Sequence, residues 1–201
     1  MKPGVKPPEI VEKLVSAALG RIRASLVIRR GALVNVFTGE IVENTDIAVV
    51  DDRIVLLGEA EHTIGPETRI IDAYGKYLTP GFLDGHVHVE SSMLTVTQFA
   101  KAVLPHGTTT VFIDPHEIAN VLGLDGIYLM IENGKRTNFK FSFGAPSCVP
   151  ASEFETAGAS IDVKSIERLF KEGEVEYLSE VMNFTGVIID DPQVMEKISI
   201  A

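Results

Sequence analysis

Hydrophobic and polar positions change their rhythm twice along this chain. Near the start, Ile10, Leu14, Ala17, Ala18 and Ile22 recur at three- to four-residue spacing, which predicts a helix with one packed face. Residues 1–7 read as an unstructured start. Pro7-Pro8-Glu9 opens the helix, because proline is tolerated in a first turn and glutamate suits the positive end of the helix dipole. Gly20 frays or ends it. From Ser25 to Tyr77 the apolar runs shorten to strand length: 26–28, 32–36, 40–42, 46–50, 53–57 and 68–72. Asp51-Asp52 between two of these runs predicts a hairpin, and Thr38-Gly39 a turn. The expected arrangement is a helical extension over 1–24 and a small β-sandwich or partial barrel over 25–77.

After Thr79 the rhythm changes again. Strand-like runs at 80–89, 108–114, 138–145 and 175–180, with 186–190 as an extension, alternate with helical patterns over 95–105, 117–133 and 163–172. Strand and helix alternating at about 30-residue spacing predict βα units on a parallel sheet. A closed (β/α)₈ barrel takes about 250 residues, so the stretch 78–201 is expected to hold the first half of a TIM-like barrel. The fold class is therefore α/β. A half-barrel leaves apolar surface and strand edges to cover, which predicts self-association into a homo-oligomer.

Composition narrows the function classes. With 45% hydrophobic and 23% charged residues in 201, the chain is globular. A net charge of −10 provides no basic stripe and excludes a nucleic-acid-coating protein. The single cysteine, Cys148, excludes an internal disulfide framework and a cysteine-rich zinc site, so any metal must be held by histidine and carboxylate. Cys148 itself reads as a small hydrophobe or a reactive thiol. No apolar leader is visible near the start, and no run approaches the ~20 apolar residues of a membrane span. The expectation is a cytoplasmic protein without a membrane partner.

The chemistry gathers at Pro80-Gly81-Phe82-Leu83-Asp84-Gly85-His86-Val87-His88-Val89-Glu90. Read as a strand, this stretch turns Asp84, His86, His88 and Glu90 to one side and Leu83, Val87 and Val89 to the other. Two imidazoles at i and i+2 reach a common cation. In parallel barrels functional groups sit at the C-terminal strand ends, and the later ends here carry Asp114, His116 and Glu117, then Ser142, Ser147 and Cys148, then Ser179, Glu180 and Asn183. Two histidines and a carboxylate make half of a dinuclear site, in which divalent ions activate water and polarise a C=N or C=O bond. Asp114, His116 and Glu117 are placed to support the ligands, carry protons or bind substrate, with Glu117 and His116 the catalytic candidates. Asp114 and Glu117 read equally as a helix cap and a dipole partner. Glu90, Ser91 and Ser92 either shape the pocket or cap the first helix. His62 lies in a polar loop and reads as a solvated histidine.

These residues carry a resemblance. Pro80 to His88 resembles the first-strand signature of the amidohydrolase superfamily. His86-Val87-His88-Val89-Glu90-Ser91-Ser92-Met93, Leu104-Pro105-His106-Gly107-Thr108-Thr109-Thr110, Ile113-Asp114-Pro115-His116-Glu117-Ile118-Ala119-Asn120-Val121 and Leu178-Ser179-Glu180-Val181-Met182-Asn183-Phe184 resemble the adenine deaminases in particular. The resemblance implies hydrolytic deamination of adenine to hypoxanthine and ammonia, in purine salvage, at a dinuclear Mn²⁺ or Fe²⁺ centre. It implies His86 and His88 as ligands of one metal and Glu180 as the bridging carboxylate. It also implies further ligands on later strands that these residues do not include, so the 201 residues are expected to be the N-terminal portion of the enzyme, inactive alone. Two other readings stay open. One is a different cyclic amidohydrolase, of dihydroorotase or hydantoinase type, although Asp114-Pro115-His116-Glu117-Ile118-Ala119-Asn120 favours adenine. The other is a truncated, catalytically silent chain that binds a metal or a partner.

Overall fold

The computed structural model describes residues 7–152 and 154–201. The chain divides into two compact units, one ending at Pro80 and one spanning Gly81–Ala201. The expected unstructured start falls outside the described residues except for Pro7.

The first unit begins with helix α1 (Pro8–Ala18), which carries a proline in its first turn and Glu9 beside it, and Ala17 is its buried residue. Gly20 follows in a left-handed conformation, as its position at the helix end suggested. The strands are β1 (Leu26–Asn35), β2 (Glu40–Val50), β3 (Arg53–Gly58), β4 (Arg69–Asp72) and β5 (Tyr77–Leu78). They form one five-stranded sheet in the order β3-β2-β1-β4, with β5 also paired to β1. All five strands of this unit belong to that one sheet. Two pairs of expected short strands are each one long strand with a register shift. β1 continues through Arg30, at φ +63°, and β2 through Asn44, at φ +53°. Asp46 explains the continuity in β1. This buried carboxylate accepts the Arg30 N–H at 2.9 Å and the Ala60 N–H at 3.2 Å, so it satisfies the backbone donor that the bulge releases. The Asp51-Asp52 hairpin joins β2 to β3 as expected. His62 is exposed, as expected, in a 3₁₀ turn, and its Nε2 lies 2.8 Å from the Ala18 carbonyl oxygen.

The second unit is built of β6 (Phe82–Val87), α2 (Val96–Val103), β7 (Thr108–Ile113), α3 (His116–Leu122), α4 (Leu124–Gly134), β8 (Lys140–Ala145), α5 (Val163–Glu172), β9 (Tyr177–Leu178), α6 (Phe184–Ile188) and α7 (Pro192–Ile200). All four strands are parallel, in the order β6-β7-β8-β9, which makes four consecutive βα units of a half-barrel. Val111 and Ile113 of β7, Phe143 and Ala145 of β8, and Ile127, Ile131, Ile166 and Leu169 from the helices form one core. α5 shows why this sequence folds so locally. Asp162 caps it by accepting the Ser165 N–H at 2.8 Å, Ile166 and Leu169 recur inward, and Gly173 ends it at φ +69°.

Three expectations change. The helical stretch 117–133 is two helices, because Gly123 at φ +61° interrupts it. The run 186–190 is the end of a helix and the turn after it rather than an extra strand. Asn183 accepts the Gly186 N–H at 2.9 Å and so starts α6, which outweighs the β preference of Val187 and Ile188. The helix α7 carries a signal that the periodicity alone did not expose, Asp191 as cap and Pro192 in the first turn. Among the described residues no helix is long and apolar enough to cross a membrane.

β9 lies close to β8 because Gly144 has no side chain. A Cβ there would come 2.2 Å from Ser179 Oγ and 2.6 Å from the Tyr177 ring. Gly144→Ala is expected to destabilise the fold by about 1–3 kcal/mol, as overpacking does, read as a lower midpoint in urea. An unchanged midpoint would mean that β9 moves aside freely.

Candidate metal centre

The parallel sheet brings the ends of three strands to one point. The Val87 carbonyl accepts the Asp114 N–H at 3.0 Å, which sets the residue after β7 beside the segment after β6. His88 is extended there (φ −96°, ψ 100°), and its Nδ1 lies 2.9 Å from the Asp114 carbonyl oxygen. A carbonyl only accepts, so Nδ1 carries the proton and Nε2 keeps a free lone pair. That lone pair faces His86: the two Nε2 atoms are 3.2 Å apart, with ring centroids at 4.8 Å and edge-on rings. Glu180, just past β9, brings Oε1 to 3.4 Å from His88 Nε2 and Oε2 to 3.8 Å from His86 Nε2. One ligand atom from each of His86, His88, Asp114 and Glu180 lies within 4.8 Å of all the others.

Asp114 decides what this cluster suits. It is fully buried, and neither carboxylate oxygen has a hydrogen-bond partner. A buried carboxylate without a donor is costly unless a cation faces it. Its capping alternative fails, since the Asp114 side chain accepts no N–H of α3. Opposite ligands of one divalent ion span about 4.2 Å at ordinary bond lengths, close to the spread observed here. Nitrogen and carboxylate donors without thiolate fit a divalent cation such as Mn²⁺, Fe²⁺ or Zn²⁺.

The other expected residues surround the cluster without joining it. Asp84 turns back to accept the His86 N–H at 3.2 Å. Glu90 is not on the strand, because β6 ends at Val87 and residues Val89–Ser92 form a 3₁₀ turn. Its Oε1 instead accepts the Ile118 N–H at 3.1 Å, so Glu90 satisfies a first-turn donor of α3. Burial pushes the Glu90 carboxyl above its ordinary range, against that hydrogen bond. Glu117 is exposed and accepts the Ser91 hydroxyl. His116 is buried, with Nε2 2.6 Å from the Cys148 carbonyl oxygen and Nδ1 3.6 Å from Asp114 Oδ2. Burial works to lower its pKa, but the facing Asp114 carboxylate and the Cys148 carbonyl raise it overall. Cys148 is a buried thiol, as the small-hydrophobe reading has it, and it accepts the Asn183 N–H at 3.4 Å. Sequence reasoning put Asp114 beside the cluster rather than in it. The available signal was an acid between a strand end and a proline, where the following residue has no N–H to give it.

Comparison with known proteins agrees with this architecture. The sequence profile of the Amidohydrolase family matches residues 77–201. The chain is 52% identical over 187 residues to an adenine deaminase of Moorella thermoacetica, covering 92% of this chain and 31% of that one. It is 47% identical over 193 residues to adenine deaminase 3 of Rhizobium meliloti, covering 95% and 32%. The chain thus spans about a third of the length of these curated relatives. A crystal structure of an amidohydrolase from an environmental sample of the Sargasso Sea shares the fold at TM-score 0.54 and 17% identity, over 73% of this chain and 41% of that one.

A cation that binds the folded protein through this cluster stabilises it by mass action. Mn²⁺ is expected to raise the melting temperature of the protein in proportion to the logarithm of its concentration, and His88→Ala to abolish the rise. In metal-free protein Asp114→Asn is expected to cost nothing or to stabilise by about 1–2 kcal/mol. Destabilisation by Asp114→Asn would show that the contact with His116 Nδ1 outweighs the cost of burying the carboxylate.

Proposed function

The chain belongs to the amidohydrolase family, and we propose that it is the N-terminal part of an adenine deaminase, which hydrolyses adenine to hypoxanthine and ammonia. The observation that carries this reading is the unpartnered Asp114 carboxylate inside a cluster of two histidines and Glu180 at the strand ends. The choice of adenine is supported by about 50% identity to adenine deaminases over nine-tenths of the chain and by the stretch from Asp114 to Asn120.

In this reading His86, His88, Glu180 and the buried Asp114 would hold the metal. The metal would be a pair of Mn²⁺ or Fe²⁺ ions, supplying Lewis acidity toward the ring C=N and a water activated near neutral pH. The chain's own groups do the rest. The Asp114 carbonyl fixes the His88 tautomer, so that its nitrogen and not its N–H meets the cation. The buried His116 stands 3.6 Å from Asp114, and that carboxylate favours its protonated form. Glu117, exposed and oriented by Ser91, is the group that carries a proton to departing ammonia. Glu90 keeps α3, and with it His116 and Glu117, in register with the first strand. Remaining ligands come from parts of the whole protein outside this chain, so the 201 residues alone turn over little or nothing. The whole enzyme is a cytoplasmic, self-associating protein of purine salvage.

The test is ammonia release from adenine by the full-length Mn²⁺-loaded protein, with His86→Ala beside it. Release is expected, and the variant is expected to lose more than about a hundredfold in kcat/KM, since even an outer partner of a ligand is worth 10–100-fold. No release from adenine, with hydrolysis of a cyclic amide instead, would overturn the choice of substrate.

A further inference from the structure

Glu180 is a lightly anchored member of the cluster, and one loop holds it. β9 is two residues long, and its last ladder bond runs from Ser179 N–H to the Ala145 carbonyl at 2.9 Å. Glu180 lies beyond that bond, with a side chain 45% exposed. Its backbone carbonyl is held by the Ser147 hydroxyl at 2.5 Å. Ser147 Oγ also lies 3.1 Å from Cys148 Sγ, but a hydroxyl has one proton, and the carbonyl is both nearer and the stronger acceptor.

Behind Ser147 stands Lys197. It is buried on α7, and its ammonium donates to the Ser147 carbonyl at 3.0 Å and to the Ile161 carbonyl at 2.7 Å. No carboxylate pairs with it among the described residues at ion-pair distance. A buried lysine that spends two of its three donors on backbone carbonyls is an expensive way to fasten a surface helix. It is a direct way to fix the loop after β8. The same loop receives His116 on the neighbouring Cys148 carbonyl. The run Lys197, Ser147, Glu180 therefore passes from the last described helix to the candidate bridging carboxylate through two hydrogen bonds.

We propose that Ser147 and Lys197 are positioning residues for Glu180, with Lys197 locking the loop after β8 and Ser147 transmitting that position to the Glu180 backbone. This rests on the reading of Glu180 as a metal ligand. Outer partners of metal ligands set affinity by orienting the ligand before the ion arrives.

The experiment is Mn²⁺ affinity of the full-length protein, read from the electron paramagnetic resonance signal of free Mn²⁺, for the wild type, Ser147→Ala, Lys197→Met and the double variant. Circular dichroism corrects each for its folded fraction. Both single variants are expected to bind about tenfold more weakly or worse. The double variant is expected to lose no more than the weaker single, because the two residues act through one path. Should Lys197→Met lower the folded yield too far, Ser147→Ala decides alone, since it removes one oxygen and leaves both lysine bonds in place. Wild-type binding with an unchanged Ser147→Ala affinity would overturn this inference and leave the metal reading standing. Absence of Mn²⁺ binding by the wild type would overturn the metal reading, and this inference with it.

Discussion

The parallel pairing of β6 with β7 is the constraint on which the rest of the second unit depends. Parallel strands end on the same side of a sheet, so residues that follow them are neighbours whatever their separation in sequence. Here the pairing continues past the strands through the Val87 carbonyl and the Asp114 N–H. The Asp114 carbonyl then takes up the His88 ring. One residue thus uses its backbone to orient a histidine and leaves its buried carboxylate facing the same point. Losing the register by one residue would turn the histidines away from the acid.

The electrostatics follow from that geometry. Two acids and two imidazole Nε2 atoms converge, with Asp114 fully buried, without a hydrogen bond to its carboxylate, and with His116 Nδ1 3.6 Å away. Such an arrangement holds together at neutral pH when positive charge enters it. His116 contributes part of that charge, raised toward its protonated form by the carboxylate it faces. A divalent cation contributes the larger part. The acidic balance of the chain, at −10, favours approach of a cation.

Much of this was legible in the sequence because it is local. Helix and strand periods located the βα units, and the i, i+2 histidines stood out because they share one face of an apolar strand. Four things were not legible, each for a physical reason. The period-two reading carried Glu90 onto the ligand face, but β6 ends at Val87 and a 3₁₀ turn redirects the chain. Val187, Ile188 and Ile189 suggested a strand, but the Asn183 cap and the short distance to Asp191 favoured two helices. The part played by Asp114 depends on burial and on the absence of donors around it, which only the tertiary structure defines. The Glu180–Ser147–Lys197 contacts join three elements far apart in sequence, and no spacing announces them.

The most direct test of the central claim is the broadening of ¹⁵N-labelled histidine resonances on titration with substoichiometric Mn²⁺. Paramagnetic broadening falls with the inverse sixth power of distance. β7, six residues long, separates His106 from the cluster by about 20 Å. Of these four, the imidazole signals of His86 and His88 are expected to disappear first, His116 next and His106 last. Broadening of His106 together with His86 and His88, or before them, would contradict it.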